Sequence, residues 1–145
     1  MPRIVLFDPV LGSRLLAIAA LSPAHDVHAV SDAADVLKAI RRLAPDVVLL
    51  ALPPGDIGRL CRAIRTDTPS RSSAVPRLGF VVPVGSAVGP SLAIDTWGAD
   101  GWLGNPADLP AFVSGLLAGP LPVRMGVHAP GLAARIVHRM RRIGL

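Results

Sequence analysis

The sequence predicts an α/β fold in which a five-stranded parallel sheet is flanked by helices and followed by a basic helical extension. Two observations carry this expectation. Over the first 119 of 145 residues, short apolar runs of strand length alternate with segments whose apolar residues recur at helical spacing, the alternation that a parallel sheet with crossover helices requires. Within it, DVVLLAL at 46–52 is apolar almost throughout, as befits a central strand covered on both faces.

The elements follow in order. RIVLF at 3–7 reads as the first strand, and Leu11, Leu15, Leu16 and Ala19 then recur at helical spacing. VHAV at 27–30 is a short second strand, followed by a helix that Ser31 or Asp32 could cap and whose apolar positions are Val36, Leu37 and Ile40. Pro53, Pro54 and Gly55 stop the third strand, and Leu60, Cys61 and Ile64 mark the third helix. RLGFVV at 77–82 is the fourth strand, a loop containing Gly and Pro leads to a helix around 91–97, GWL at 101–103 is the fifth strand, and a helix over 107–117 closes the domain.

Beyond Gly119 the pattern changes. Pro120, Pro122, Gly126, Pro130 and Gly131 crowd a segment that reads as a linker, and LAARIVHRMRRIGL then places Leu132, Ile136, Met140 and Ile143 on one helical face with Arg135, Arg139 and Arg142 on an adjoining one. The chain therefore divides into a domain at 1–119 and a linker with a basic amphipathic helix at 120–145.

Charge supports the same division. The net charge is +5, yet all ten acids, every one an aspartate, lie within 1–119 and balance the basic residues there, so the excess belongs to Arg124, Arg135, Arg139, Arg141 and Arg142. That tail could pack on the domain, serve dimerisation or a partner through Leu132, Ile136 and Met140, or meet nucleic-acid phosphates weakly, since no DNA-binding motif accompanies it.

Several functions are disfavoured. No apolar run approaches the roughly 18 residues of a membrane span, and the start MPRIVLFDP lacks the pattern of a signal peptide, so no membrane association and a cytoplasmic location are expected. A single cysteine, Cys61, excludes an internal disulfide and a multi-cysteine metal site. His25, His28, His128 and His138 show no metal-ligand spacing, and VGSAVGPS at 84–91 lacks the lysine of a phosphate-binding loop. Neither a metal nor a cofactor is expected. No serine lies in a recognisable catalytic motif, although such triads are spatial.

Three segments, in the right order and together spanning nearly all of 1–119, resemble bacterial response-regulator receiver domains. RIVLFDP resembles that family's opening strand, where two consecutive acids hold magnesium: Asp8 matches the first and Pro9 replaces the second. PDVVLLALPPGDIGRLCRAIR at 45–65 is similar to the third strand, loop and helix, with Ala51 at the position of the phosphorylated aspartate. GADGWLGNP at 98–106 is similar to the Gly-Ala-Asp, aromatic, Lys-Pro signature, with Asn105 at the lysine position, Pro106 matching a proline usually held cis, and Trp102 at the switch aromatic. The hydroxyl residue of the fourth strand falls at Val81 or Val82.

The resemblance implies a flavodoxin-like sheet of strand order 2-1-3-4-5 and a degenerate receiver that is not an enzyme. Phosphoryl transfer to a carboxylate needs a nucleophilic oxygen, a cation and donors around the acyl phosphate. Ala51, Pro9, Asn105 and a valine supply none of these, and Asp56 before the third helix reads more simply as a cap than as a substitute acceptor. What it implies instead is a phosphorylation-independent regulator in signal transduction or transcription control. It would act through a protein partner or a homodimer on the surface of the fourth helix, fifth strand and fifth helix, near Trp97, Trp102, Pro106 and Ala107, with an output domain possible if the chain is a fragment. Trp102 is left as either a packing residue or an exposed anchor. The alternative is a flavodoxin-like domain or enzyme that binds a small molecule or cofactor where the strands end.

Overall fold

The computed structural model describes residues 1–51, 57–66 and 75–127; Asp56 and the tail positions Leu132, Arg135, Ile136, Arg139 and Met140 lie outside them. In chain order the elements are β1 Arg3–Phe7, α1 Leu11–Leu21, β2 Asp26–Val30, α2 Ala34–Leu43, β3 Val47–Ala51, α3 Ile57–Thr66, β4 Arg77–Val81, a π-helical segment Ser91–Thr96, β5 Gly101–Leu103, a 3-10 turn Pro106–Asp108, α4 Leu109–Ala118 and β6 Val123–Met125. Every strand pairing is parallel, in the order β2-β1-β3-β4-β5-β6.

The sheet therefore has six strands, where the sequence predicts five. The additional one, β6, lies inside the stretch expected to be a linker. It is held because Val123 N donates to Asp100 O at 2.8 Å and Gly104 N to Met125 O at 2.8 Å. Val123 and Met125 pack on the core while Arg124 points to water, so three residues suffice for one inward-outward-inward cycle.

Period-two alternation assigns each strand residue to a face. Val5, Phe7, Val48, Leu50, Leu78, Phe80, Val82 and Trp102 pack beneath α2, α3 and the π-helical segment. Ile4, Leu6, Val47, Leu49, Val81 and Leu103 point to the other face, beneath α1 and α4. α2 and α3 each bury one stripe, Val36, Ala39 and Ile40 in the first and Ile57, Cys61 and Ile64 in the second, and each large apolar side chain so buried stabilises by roughly 1.5–3 kcal/mol. The N-cap of α2 is Ala33, not Ser31 or Asp32; Asp32 stands one residue earlier, its Oδ1 accepting from Ala34 N at 3.0 Å.

On the α1/α4 face the sheet is dimpled. Gly79 and Gly101 are register partners, and a Cβ on either would lie 2.8 Å from atoms of the Phe112 ring. Two side chains are absent so that α4 can press Phe112 and Leu116 onto the strands. α1 departs from expectation. Of its apolar residues only Leu21 is buried, with Ala17 and Ile18 packed against the core, whereas Leu11, Leu15 and Leu16 are 59%, 55% and 75% exposed. The stripe read from the sequence is the outer one, because apolar residues occur around the whole helix and periodicity cannot say which side meets the sheet.

Candidate functional site at the carboxyl ends of the strands

In a parallel sheet all strands end on the same side, and ligands of open α/β folds bind in the crevice there, where strand order reverses. Here the reversal falls between β1 and β3. A pocket of about 660 Å³ opens at that edge. Its floor is Leu6, Ala51 and Val81, and α1 and the start of α4 form its walls.

β1 delivers Asp8 to this pocket. Its side chain is only 4% exposed, and both carboxylate oxygens accept hydrogen bonds from the protein: Oδ1 from Val10 N at 2.9 Å and Oδ2 from Ser13 Oγ at 2.5 Å. Arg14 Nη1 donates to the Asp8 carbonyl at 3.0 Å. Asp8 thus ties the end of β1 to the first turn of α1, whose N-cap Val10 has no side-chain oxygen to offer. Pro9 sits exposed at the junction.

Ala51 ends β3 and stands in register with Val81 at the end of β4. Of the two valines proposed for the hydroxyl position, Val81 lines the pocket while Val82 belongs to the core of the opposite face. Asn105 turns away into local structure, its Oδ1 accepting from Ala107 N at 3.1 Å to cap the 3-10 turn. Pro106 occupies the first position of that turn, where a missing N–H costs nothing. The Asn105–Pro106 bond is not cis; the cis bond among the described residues is Leu121–Pro122. Asp8 is the only carboxylate among the described lining residues, and no group of three or more His, Cys, Asp or Glu side chains able to hold a metal ion occurs among the described residues.

The residues expected on an interaction surface separate. Trp102 is 1% exposed and its Nε1 donates to Val88 O at 3.0 Å, so it is a packing residue and not an exposed anchor. The loop at 84–91 is shaped for that contact: Gly85 adopts φ +87°, which suits glycine, and Ser86 Oγ accepts from Val88 N at 3.1 Å. Trp97 is half-buried over Gly58 and meets Phe80 edge-to-face with centroids 5.5 Å apart. Pro106 and Ala107 are exposed but line the pocket on the other face of the sheet. A residue that sequence reasoning missed is Ser13; a hydroxyl one turn into a helix and five residues after an aspartate is the signal that could have found it.

Asp100 is the best-connected acid on the opposite side. Its Oδ2 accepts from Leu78 N at 2.8 Å and from Arg65 Nη2 at 3.0 Å, binding α3 to β4 and to the turn before β5. Cys61 is fully buried, and burial pushes its thiol up to about 11 despite the nearby Arg65 guanidinium, which removes it from nucleophilic chemistry.

No protein-family model matches the chain, and no curated protein matches it in sequence. Solved structures do. The chemotaxis response regulator CheY4 of Vibrio cholerae superposes with a TM-score of 0.64 at 19% identity, over 81% of this chain and 99% of that one. The fold is that of a response-regulator receiver domain. The N-terminal domain of the nisin resistance regulator NsrR gives a TM-score of 0.67 at 20% identity, covering 81% and 99% of the two chains. The signal receiver domain of a putative LuxO repressor protein from Vibrio parahaemolyticus gives 0.63 at 20% identity, covering 80% and 89%. The receiver fold accounts for the order of the first five strands, with β6 as an addition at the β5 edge. No helix among the described residues is long and apolar enough to cross a membrane.

Proposed function

We propose that the chain is a degenerate receiver that works in signal transduction or transcription control without phosphorylation, through contacts with a protein partner. The observation that carries this reading is the register of Ala51 with Val81 on the pocket floor. At the place where a receiver would present a nucleophilic aspartate and a hydroxyl, two hydrocarbon side chains stand together. Phosphoryl transfer depends on charge stabilisation around the transferring group, and an alanine–valine pair offers neither an attacking oxygen nor a donor.

The remaining parts support it. Magnesium is anchored by carboxylates, and the residues at the receiver's metal position do not fit such a site: Pro9 has no ligand atom there, and Asp8 already serves Val10 N and Ser13 Oγ. Asn105 spends its side-chain oxygen on a cap. With Trp102 locked under the 84–91 loop, the uncovered side of α1 and the exposed rim at Pro106 and Ala107 offer a partner an apolar surface among the described residues.

The test is incubation of the full chain with acetyl phosphate and magnesium, and separately with beryllofluoride, followed by intact mass and tryptophan fluorescence. The expected result is an unchanged mass and an unchanged spectrum. A magnesium-dependent phosphoryl adduct on any carboxylate overturns the reading.

A further inference from the structure

The pocket at the carboxyl ends of the strands has the size and the lining of a ligand site. Its volume of about 660 Å³ falls within the roughly 300–1,000 Å³ of small-molecule pockets, which are mostly apolar with a few placed polar groups. Leu6, Leu16, Ala51, Val81 and Leu109 supply hydrocarbon, and Leu16 is 75% exposed, so the apolar lining continues out to water. The polar side chains among the described lining residues are Asp8 and Ser13.

Those two side chains present acceptors. A carboxylate has about four lone-pair sites on its two oxygens and no hydrogen to give, and Asp8 uses one site on each oxygen, for Val10 N and Ser13 Oγ. Ser13 directs its one hydroxyl hydrogen to Asp8 Oδ2, which leaves its own oxygen an acceptor. At the strand ends and along the α4 wall the backbone donors are engaged or missing. Asp8 N donates to Val30 O, Val82 N to Leu103 O and Asp108 N to Asn105 O, Ala107 N to Asn105 Oδ1 and Leu109 N to Pro106 O, while Pro9, Pro83 and Pro106 carry no N–H. At the start of α1, Asp8 itself answers the positive end of the helix. No Arg, Lys or His lies among the described lining residues, and Arg14 is directed to the Asp8 carbonyl.

Such a site repels an anion and suits a donor that carries positive charge, because ionic attraction is stronger beside hydrocarbon than in water. Magnesium takes an octahedron of oxygens, more than one carboxylate and one hydroxyl supply. An ammonium group has three donors and no acceptor, the complement of what Asp8 and Ser13 present. We infer that the pocket takes a small apolar amine, its hydrocarbon body on Leu6, Leu16, Ala51 and Val81 and its ammonium group on the remaining acceptor sites of Asp8 and Ser13. This deepens the reading above and rests on it: a ligand of opposite charge stands where a receiver would hold a phosphoryl group. Asp8 keeps its bonds to Val10 and Ser13, so the amine braces the junction of β1 with α1, the helix whose apolar side is open to a partner.

The test titrates the full chain with octylamine, octanol and octanoate, which share a hydrocarbon body and differ in head group, by calorimetry and by backbone NMR shifts. Octylamine is expected to bind about tenfold more tightly than octanol and octanoate more weakly than either, with shifts at Leu6, Ser13, Leu16, Ala51 and Val81. Asp8→Asn, checked for a native spectrum, should bring octylamine down to the affinity of octanol and leave octanol unchanged. Ala51→Phe fills the pocket from β3 without altering Asp8 and should abolish binding of both; with the head-group comparison it decides the matter if Asp8→Asn does not fold. Equal affinity for the three probes or a preference for octanoate overturns the inference. So does octylamine binding that survives either substitution, or shifts confined to aspartates away from the pocket. The reading beneath it fails separately, through a phosphoryl adduct with acetyl phosphate, whichever head group the pocket prefers.

Discussion

The two faces of the sheet are built on different terms. Beneath α2, α3 and the π-helical segment, amphipathic helices turn one stripe inward and a charged side outward, and Trp102 and Phe80 fill the space between. Beneath α1 and α4, one end is packed as closely, with Phe112 and Leu116 pressed onto Gly79 and Gly101, while the end nearest the carboxyl edge opens into an apolar pocket under a helix with leucines exposed to water. Stability is concentrated where the packing is finished. The unfinished end of the α1/α4 face lies at the carboxyl ends of the strands, where the pocket floor of Leu6, Ala51 and Val81 is hydrocarbon and Asp8 is the one carboxylate among the described lining residues.

Four measurements break or sharpen this contrast. The largest effect is expected for Phe112→Ala, which empties the dimple made by the two glycines and should cost about 3–5 kcal/mol in denaturant unfolding. A loss below about 1 kcal/mol would show that α4 is not packed as described. Gly79→Ala approaches the same place from the sheet: a Cβ 2.8 Å from the Phe112 ring and Leu116 has to push α4 away, at about 1–3 kcal/mol.

Asp8→Asn separates two roles by sign. A carboxylate that joins β1 to α1 through Val10 N and Ser13 Oγ loses charge-assisted bonds, and the domain should weaken by about 1–2 kcal/mol, with or without magnesium. A carboxylate kept for a cation would instead be relieved by neutralisation, giving a more stable variant whose melting temperature no longer responds to magnesium.

The smallest effect lies at the β2 edge. His28 Nε2, 3.2 Å from Asp26 Oδ1, does most to hold the Asp26 carboxyl below its ordinary value of 3.8; desolvation opposes it, and Arg3 Nε at 3.3 Å from Oδ2 adds a smaller lowering. A depressed carboxylate contributes stability that is present above the ordinary value and is lost as pH falls through the folded-state value below it. The contribution is therefore lost as pH falls below 3.8, and the charged part of the His28 contact requires a protonated imidazole. Titration of Asp26 by NMR should show a midpoint that rises in His28→Ala; an unchanged midpoint would remove His28 from the account.

How much of this was legible in the sequence follows from the length and chemistry of each signal. β3 announced itself because a strand covered on both faces needs an unbroken apolar run, and 47–51 is one. α2 and α3 were legible because their sides differ in polarity. α1 was legible as a helix but not in its orientation, since leucine and alanine ring it. β6 was hidden among Pro120, Pro122 and Gly126, with only Val123, Arg124 and Met125 to carry an alternation. The residue types of Pro9 after β1 and Ala51 at the end of β3 are plain in the sequence, but the contact Asn105 makes is not, because a cap is a local geometry that residue type permits without requiring. The burial of Trp102 was equally hidden: it depends on the Val88 carbonyl, fourteen residues away along the chain.

The sixth strand has one further consequence. A sheet grows by adding a strand to whichever edge offers free N–H and C=O groups, and long, flat, uncharged edges invite that growth between molecules. By pairing with Gly101, Trp102 and Leu103, β6 takes the β5 edge out of reach and substitutes a rim three residues long that carries Arg124. The far edge, β2, carries Asp26 and His28. Both margins are short and charged, which disfavours β-augmentation and edge-to-edge polymerisation at either edge of the sheet.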